Sequence, residues 1–314
     1  MSEPAVPAAA KHWRAIDGVL LLDKPIGMTS NVALQKARRL LGAAKAGHTG
    51  TLDPLATGLL PLLLGEATKF SAGLLNADKT YAAEICFGVT TDTGDSEGAV
   101  TARTILPQDI ILRVERALPR FLGEQLQTPP MYSAIKQNGR PLYALARQGV
   151  EVERAPRRVV FYELEPQAWD VPRFSLRVKC SKGAYIRTLA EDLGRAVGCG
   201  AHLTALRRIQ VGALDIRRAH TLEALESLPE AERLACLDAV DSLLTDLPAI
   251  RLDAAETRRF LHGNPVSRAR TQTADVHHGA VRVYGEEANA KVFLGLGDVK
   301  DDHTLWPRRV IVKK

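Results

Sequence analysis

The sequence predicts an α+β protein with a central sheet that is mixed but largely antiparallel and flanked by helices, followed by a small β-rich domain. Strand segments follow one another with helices between them at irregular intervals, whereas a parallel sheet requires a regular alternation of strands and helices. The chain has 314 residues, more than one typical domain takes. The pattern changes from helical to strand-like at Asp246-Leu247-Pro248, so we place a larger domain at residues 17–247 and a smaller one at residues 248–314.

The larger domain begins with a buried strand over Gly18–Leu22, because this segment is apolar throughout. A turn over Asp23–Gly27 follows, and Thr29 and Ser30 are suited to cap a helix that runs to Leu41. The next elements, in chain order, are a glycine-rich loop over Ala43–Gly58, a buried apolar segment over Leu59–Leu64, a short helix over Glu66–Leu75, strands over Thr80–Thr90 and Arg173–Lys182, helices near Gln108–Phe121, Pro141–Gln148 and Tyr185–Val197, and helical patterns between Thr221 and Leu244.

The smaller domain is predicted to be rich in strands and basic. Residues 249–314 carry 12 Lys and Arg against 8 Asp and Glu, which accounts for most of the net charge of +6 on the whole chain. This excess fits either an RNA-binding surface or a solvated basic surface, and charge alone does not distinguish them. The predicted elements are a helix over Ala254–His262 and strands over Ala249–Leu252, Ala280–Tyr284, Lys291–Asp298 and Arg308–Val312.

Composition and patterning exclude several classes of protein. With 46% hydrophobic and 25% charged residues, the chain has the composition of a folded globular protein. The longest apolar runs, Gly18–Leu22 and Leu59–Leu64, are much shorter than the roughly 18 residues that cross a membrane. Residues 1–16 lack the basic start and the apolar stretch of a signal peptide, so we expect a flexible tail and a cytoplasmic protein.

The spacing of cysteine and histidine predicts no metal site. His277 and His278 are adjacent, and adjacent side chains on a strand point to opposite faces, so they are poorly placed to share a metal ion. No CxxC pair is present, and a chain of this size folds without disulfides. Buried thiols are therefore expected for the four cysteines, Cys86, Cys180, Cys199 and Cys236.

The segment GHTGTLDPLATG, residues 47–58, is the densest cluster of unusual residues and carries the candidate catalytic acid Asp53. Its glycines permit close approach of the backbone to a ligand, and Pro54 biases Asp53 towards an extended conformation that fixes the direction of its carboxylate. For an isolated Asp-Pro pair, the commoner alternative is an Asp that hydrogen-bonds its own backbone in a turn. The wider sequence context decides between the two.

Other chemistries fit this segment less well. Residues 42–49 mimic the phosphate loop GxxxxGK[ST] with His48 at the lysine position, but such a loop follows a strand and opens a helix, and this segment does neither. A glycosidase needs two carboxylates that face one bond, and the segment offers one. A hydrolase with a metal held by His48 and Asp53 would need further ligands, which the sequence does not provide.

A second cluster, KCSKGAYIRTL at residues 179–189, lies where a strand turns into a helix. Tyr185 and Arg187 stand at the start of that helix, where an aromatic ring is able to stack on a base and a guanidinium to grip a carboxylate. The alternative for this segment alone is an ordinary capped helix with an arginine on its surface.

Together these segments resemble the bacterial tRNA pseudouridine-55 synthases, the TruB family. Blocks of sequence in the family's order carry the resemblance, and it covers almost the whole chain. The blocks are GVLLLDKPIGMTS (residues 18–30), AGHTGTLDPLATGLLPLLLGEATKF (46–70), DKTY (78–81), CSKGAYIRTL (180–189) and GCGAHLTALRR (198–208).

The resemblance implies a pseudouridine-synthase fold, with a segment inserted in residues 17–247 that grips RNA and a C-terminal PUA domain at residues 248–314. The motif FLHGNPV at residues 260–266 supports the PUA domain. The implied reaction is the isomerisation of uridine to pseudouridine at position 55 in the T loop of tRNA. The implied partner is therefore the T stem-loop of tRNA, with no cofactor and no metal.

The resemblance also implies roles for individual residues. Asp53, Tyr81 and Arg187 are the expected catalytic residues, and Arg187 is expected to pair with the carboxylate of Asp53 and favour its charged form. Tyr81 is also expected to stack on the uracil, near the proton that leaves C5. Tyr185 and Leu206 are expected to line the pocket.

Three further residues are expected beside the reaction centre. A base in a folded loop must be extruded before it reacts, and His48 resembles the family residue that takes up the vacated space. Lys24 and Pro25 are expected to shape the site and to take no part in the chemistry.

The rival hypothesis from another class is a tRNA-binding or tRNA-folding protein in which catalysis is secondary. The intact set of Asp53, Tyr81 and Arg187 favours catalysis, because a pure binder needs no buried acid. The sequence leaves open whether Asp53 attacks C1′, attacks C6 or removes a proton from C2′. Nothing in the pattern resembles a coiled coil, so we expect a monomer.

Overall fold

A computed structural model of the chain describes residues 13–133, 135–137, 139–267, 278–287, 290–302 and 304–311. Of the predicted flexible tail only residues 13–16 fall within this part, and His277 and Val312 lie outside it. All four cysteines are free; Cys180 and Cys199 are buried as predicted, but Cys86 and Cys236 are only half-buried. Among the described residues, no helix combines the length and the apolar character that a membrane crossing requires.

The strands fall into a large group before residue 216 and a smaller group after residue 248. The first group comprises β1 (Gly18–Lys24), β2 (Ala46–His48), β3 (Thr57–Leu64), β4 (Lys79–Phe87), β5 (Val89–Thr91), β6 (Val100–Arg103), β7 (Gly123–Gln127), β8 (Lys136–Gln137), β9 (Arg140–Pro141), β10 (Arg157–Asp170), β11 (Arg173–Cys180), β12 (Ala201–Val211) and β13 (Leu214–Asp215). The second group comprises β14 (Ala249–Arg251), β15 (Val266–Ser267), β16 (Gly279–Glu287), β17 (Ala290–Val299) and β18 (Thr304–Val310).

Helices lie between these strands at irregular intervals, as the sequence predicts. The α-helices are α1 (Ser30–Leu41), α2 (Ser71–Asn76), α3 (Ile110–Ala117), α4 (Leu142–Ala146), α5 (Ile186–Val197), α6 (Leu222–Ser227), α7 (Glu230–Ala235) and α8 (Ala254–Leu261). Short 3₁₀ segments occupy Gly65–Phe70, Leu118–Phe121, Ile216–Arg218 and Val240–Leu244.

The large sheet is mixed and largely antiparallel, which confirms the predicted fold class. Its strand order is β1-β3-β12-β4-β11-β10-β7, with β2 paired to β3 and β13 paired to β12. Within it, β3 and β12 pair in parallel through only two residue pairs, Thr57 with Arg207 and Gly58 with Arg208. This short parallel contact is a seam between two antiparallel halves of the sheet.

The two halves bury their side chains differently. Strands β1 and β3 are leucine-rich and covered on both faces, by α1 and α6 on one side and by α2 and the 3₁₀ segments on the other. Strands β4, β10 and β11 pack one face against α3 and α5. Their opposite face carries half-exposed ion pairs such as Arg177 with Glu163. Tyr81 and Leu206 contact the cores of both halves, so they lie at the seam.

Several predicted boundaries are wrong for identifiable reasons. Strand β1 continues through Asp23 and Lys24, which pair with β3, so the predicted turn begins later. The predicted glycine-rich loop contains β2, and Gly88 divides the predicted strand over Thr80–Thr90. Thr29 does cap α1 by accepting from the N–H of Val32, but Ser30 is the first helical residue and bonds elsewhere.

Strands β10 and β12 are long, and the predicted elements included neither. Strand β10 contains Pro166, which lacks an N–H and argues against a strand, but here it lies beside a bulge in the pairing with β11. Strand β12 has two bulges, and each one breaks the alternation that a regular strand would show. The apolar residues Leu203, Leu206 and Ile209 therefore fall at a helix-like spacing.

An inserted segment lies between β7 and β10, which are neighbours in the sheet. It contains the β8–β9 hairpin and α4. The carbonyl of Pro129 at its start accepts from Arg154 near its end at 3.0 Å, which ties the two ends together.

The second sheet has the order β14-β16-β17-β18-β15 and a core of its own around Phe260, Val281 and Leu305. Helix α8 begins with a capping box, in which Asp253 accepts from backbone N–H groups and Glu256 accepts from the N–H of Asp253. This sheet contacts the first part of the chain through Phe293, whose ring centroid is 5.7 Å from that of Phe70.

Candidate functional site

Most of the predicted site residues meet around a cavity of about 330 Å³ at the seam of the large sheet. The loop that precedes β3 supplies one wall, and the start of α5 supplies another. Five of the residues predicted from the sequence line this cavity: Asp53, Tyr81, Tyr185, Arg187 and Leu206. The volume is of the order that ligand pockets for small molecules show, and it is large enough to admit a heterocyclic base.

The loop that carries Asp53 is held rigidly on the preceding helix. The buried hydroxyl of Ser30 donates to the carbonyl of Leu52 at 3.0 Å and accepts from the N–H of Leu52 at 2.7 Å. The carbonyl of Asp53 accepts from the N–H of Ala56 at 3.1 Å, so the Asp-Pro pair does lie in a turn. The side chain of Asp53, however, is directed at Arg187, which favours the positioned acid over the self-bonded turn residue.

Arg187 is buried, with 5% of the residue exposed, so the alternative of a surface arginine is wrong. Its Nη2 donates to Oδ2 of Asp53 at 2.8 Å and to the carbonyl of Tyr132 at 2.5 Å. Its Nη1 donates to the carbonyl of Thr93 at 3.0 Å and lies 3.4 Å from Oδ2 of Asp95. Two carboxylates and two carbonyls therefore fix the guanidinium.

The environment of Asp53 acts on its pKa in two directions. Burial raises the pKa of the Asp53 carboxyl above its ordinary value, although 42% of the side chain remains exposed. The charge and hydrogen bond of Arg187 oppose this rise, and the negative charge of Asp95 adds to it. Burial therefore works against the ionised form of Asp53, and Arg187 works in its favour.

Arg208 lies on the other side of the seam and is also buried, with 1% exposed. Its Nε donates to the carbonyl of Leu59 at 2.7 Å, and its Nη2 donates to the carbonyl of Gly50 at 3.1 Å. A hydrogen bond from Arg208 also reaches Tyr81, whose pKa is raised mainly by burial and lowered in part by this cation. Gly58 has φ of +100°, and a Cβ there would collide with the carbonyl oxygen of Arg208.

The two tyrosines of the cavity are held from different elements. Gln127 at the end of β7 accepts from the N–H of Tyr185 at 3.0 Å and donates to its carbonyl at 3.2 Å, which fixes the backbone at the start of α5. Tyr81 projects from β4, between the cores of the two sheet halves. Leu206 on β12 contacts the same cores and lines the cavity beside it.

His48, Lys24 and Pro25 do not line the cavity. The buried Nδ1 of His48 has no hydrogen-bond partner among the described residues, and burial lowers the pKa of His48. Lys24 is fully buried, and its ammonium donates to the carbonyls of Pro25 at 2.9 Å and Met28 at 2.6 Å. Burial lowers the pKa of Lys24 to about 8, and the charge of Asp53 opposes that shift.

Asp95, Arg208 and Lys79 are among the residues of the site that were not predicted. Asp95 carries no motif of its own, and its 3% exposure and its contact with Arg187 become visible only in the fold. Arg208 ends the block GCGAHLTALRR, so a signal was present. Lys79 lies in DKTY, lines the cavity and donates to the carbonyls of Leu74, Leu75 and Ala77 at the end of α2.

The described residues contain no group of three His, Cys, Asp or Glu side chains placed to hold a metal ion.

The chain matches known protein families along most of its length. Residues 38–186 match the family model "TruB family pseudouridylate synthase (N terminal domain)", residues 187–246 match "tRNA pseudouridylate synthase B C-terminal domain", and residues 248–311 match "Pseudouridine synthase II TruB, C-terminal". The chain is 55% identical to a tRNA pseudouridine synthase B of Dechloromonas aromatica, over 96% of this chain and 97% of that one. It is 53% identical to a tRNA pseudouridine synthase B of Aromatoleum aromaticum, over 95% of this chain and 94% of that one.

Solved structures share the fold at lower sequence identity. A chain from the structure of a Cbf5-Nop10-Gar1 complex superposes with a TM-score of 0.67 at 25% identity, over 97% of this chain and 85% of that one. A chain from an H/ACA RNP bound to a substrate RNA containing 2′-deoxyuridine superposes with a TM-score of 0.68 at 22% identity, over 94% and 85%. The second likeness bears on the fold alone.

Proposed function

The chain belongs to the TruB family of tRNA pseudouridine synthases, and on that premise we propose that it isomerises the uridine at position 55 in the T loop of tRNA, with Asp53 as the catalytic carboxylate. One observation carries the assignment of Asp53. Its carboxylate lies 2.8 Å from a buried guanidinium and opens into a cavity that is large enough to admit a base.

The reaction requires an ionised carboxylate and no change of oxidation state. The bond from C1′ of the ribose to N1 breaks, the uracil turns within the pocket, and a bond forms from C1′ to C5. The proton on C5 leaves and N1 takes up a proton, so the product is an isomer of the substrate. Asp53 acts by attack on C1′, by attack on C6 or by removal of the C2′ proton, and each of these routes uses its charged form. Arg187 favours that form and holds its direction.

The cavity walls suit a base that must turn without leaving. Tyr81 and Tyr185 offer aromatic faces for stacking, and Leu206 offers an apolar contact that does not restrict rotation. The hydroxyl of Tyr81 is the proposed acceptor for the C5 proton; burial raises the pKa of this hydroxyl, and the cation of Arg208 beside it opposes that rise. His48 is proposed to take the place of the extruded base in the RNA.

The remaining parts of the chain are proposed to bind the rest of the tRNA. The segment inserted between β7 and β10 is anchored on Arg187 through the carbonyl of Tyr132, so it stands over the site and is suited to grip the T stem-loop. Residues 248–314 are proposed to be a PUA domain that binds the RNA backbone. The division of the chain into residues 17–247 and 248–314 and a monomeric state belong to the same proposal.

The alternative, a tRNA-folding protein in which catalysis is secondary, predicts a different use of the cavity. A binder needs the stacking surfaces but gains nothing from a desolvated acid, because burial of a carboxylate costs free energy. The Asp53–Arg187 pair therefore favours catalysis.

Incubation of the purified protein with an unmodified tRNA transcript tests the proposal. We expect pseudouridine at position 55, detected by chemical mapping, without added metal or nucleotide. A transcript with cytidine at position 55 is the matched control and should yield no product elsewhere. Product at another uridine in the parent transcript would contradict the assignment of the T loop.

A further inference from the structure

A second cavity of about 520 Å³ lies between the two parts of the chain. One wall comes from the segment around β2 and the 3₁₀ helix after β3, and the other comes from β18. Its lining includes Lys45 and Lys69 on the first wall and Arg308 and Arg309 on the second. No acidic side chain lines it within the part of the chain that the structure describes.

A bulge explains why both arginines face this cavity. Adjacent residues on a regular strand point to opposite faces. In the pairing of β17 with β18, Leu296 pairs with Arg309 and Gly297 pairs with Pro307, so Arg308 is the extra residue of a bulge. Bulges redirect side chains in this way. The strand thus presents two consecutive guanidinium groups on one side.

The two walls are fixed relative to one another. The ammonium of Lys69 donates to the carbonyl of Val310 at 2.9 Å, directly across the boundary between the two sheets. Tyr284 donates to a carboxylate oxygen of Asp241 at 2.6 Å, and the rings of Phe70 and Phe293 are in contact. The cavity is therefore a formed feature of the surface and does not depend on a chance approach of flexible side chains.

The charges of the cavity are largely uncompensated. Lys69 is paired with Glu66, but Lys45, Arg308 and Arg309 are exposed and form no ion pair within 4.0 Å among the residues described. Hydroxyl groups of Thr68 and Ser71 lie in the same lining. Lysine, arginine, serine and threonine side chains are the usual partners of nucleic-acid phosphates.

We infer that this inter-domain cavity, formed by Lys45, Lys69, Arg308 and Arg309, binds backbone phosphates of the tRNA at a distance from the reacting base. The inference rests on the proposed function only in taking tRNA as the ligand. Lys45 directly precedes β2 and lies eight positions before Asp53 along the chain. An extended chain spans at most about 3.6 Å per residue, so the two sites lie within roughly 29 Å of each other, inside the reach of one tRNA arm.

The test uses the full-length protein and an unmodified tRNA transcript, with binding measured across a series of salt concentrations. The variant is Arg308→Ala/Arg309→Ala, and the matched control is Arg116→Ala/Arg120→Ala, which removes the same charge from exposed positions outside the cavity and outside residues 248–314. We expect affinity to fall about tenfold at roughly 0.1 M salt, and the salt slope to become shallower by about 0.7 to 0.9 for each phosphate that the variant no longer neutralises. The control should change both quantities much less.

A second variant, Lys45→Ala, tests the other wall and should also make the slope shallower. Equal effects of the cavity variant and its control would overturn the inference, because they would indicate a general effect of net charge. An unchanged slope in both cavity variants would overturn it as well. The proposed function is tested by separate measurements on the unsubstituted protein: the position of pseudouridine in the product and the single-turnover rate at saturating tRNA.

Discussion

Arg187 and Arg208 line the same cavity and are both buried, but they meet different partners. Arg187 contacts the carboxylates of Asp53 and Asp95, while the strongest contacts of Arg208 are the backbone carbonyls of Leu59 and Gly50. A cation held by carboxylates changes their protonation, and a cation held by carbonyls mainly fixes the backbone. The Arg187 side of the seam is therefore expected to control the chemistry, and the Arg208 side to maintain the shape of the site.

The largest expected effect is that of Asp53→Asn. The amide keeps the shape of the carboxylate but loses its charge and its nucleophilic or basic lone pair, so we expect roughly a ten-thousandfold or greater fall in the single-turnover rate. Affinity for tRNA should be retained, which a binding measurement on the same variant checks. A residual rate within about tenfold of the parent would remove Asp53 from its catalytic role.

The next effect is that of Arg187→Gln, which removes the cation from Asp53. It also leaves the buried carboxylate of Asp95 without its cation, which costs about 3–5 kcal/mol of stability, and we expect a rate loss of roughly a thousandfold near neutral pH. Arg187 lowers the pKa of Asp53, so its removal raises that pKa further. The active form is ionised, so the rate falls as pH falls, and the acid limb of the pH profile should move to higher pH in the variant.

Arg207→Gln is the matched control for this shift. This substitution breaks the ion pair between Arg207 and Asp23, whose closest atoms are 2.6 Å apart. Arg207 does not line the cavity that contains Asp53. Its acid limb should coincide with that of the parent. An acid limb that stays in place in Arg187→Gln would show that the pair does not set the protonation of Asp53.

A smaller effect is expected for Tyr81→Phe. The ring keeps its stacking on the base, worth about 1–3 kcal/mol, so affinity should persist. Loss of the hydroxyl as a proton acceptor should lower the single-turnover rate by roughly a hundredfold. Tyr185→Phe is the control, because it removes a hydroxyl from the same cavity without that role. Normal turnover in Tyr81→Phe would exclude a chemical part for the hydroxyl.

The smallest effect on the chemistry is expected for Arg208→Lys. One ammonium cannot reach every acceptor that the guanidinium reaches, so a buried carbonyl loses its donor, at a cost of about 1–3 kcal/mol in the free energy of unfolding. Chemical denaturation measures this loss. The single-turnover rate should stay within about tenfold of the parent. A rate loss as large as that of Arg187→Gln would end the distinction between the two arginines.

Many of the elements could be predicted from the sequence, because their signals are local. The cap at Thr29 and the left-handed Gly42 delimit α1, and the apolar runs mark β1 and β3. Strands β10 and β12 were missed because bulges break their period and Pro166 argues against pairing. A bulge depends on the partner strand, so one chain segment does not reveal it.

The sequence by itself determined the fold class and the family, and it predicted the site residues that lie in contiguous motifs, such as Asp53 and Arg187. Only the tertiary structure decided how they are arranged, because 134 residues separate this pair along the chain. It also decided that Asp95 completes the contacts of Arg187 and that His48 lies outside the cavity. The physical reason is that burial and the pKa of a carboxyl depend on neighbours from distant segments, which no local pattern encodes.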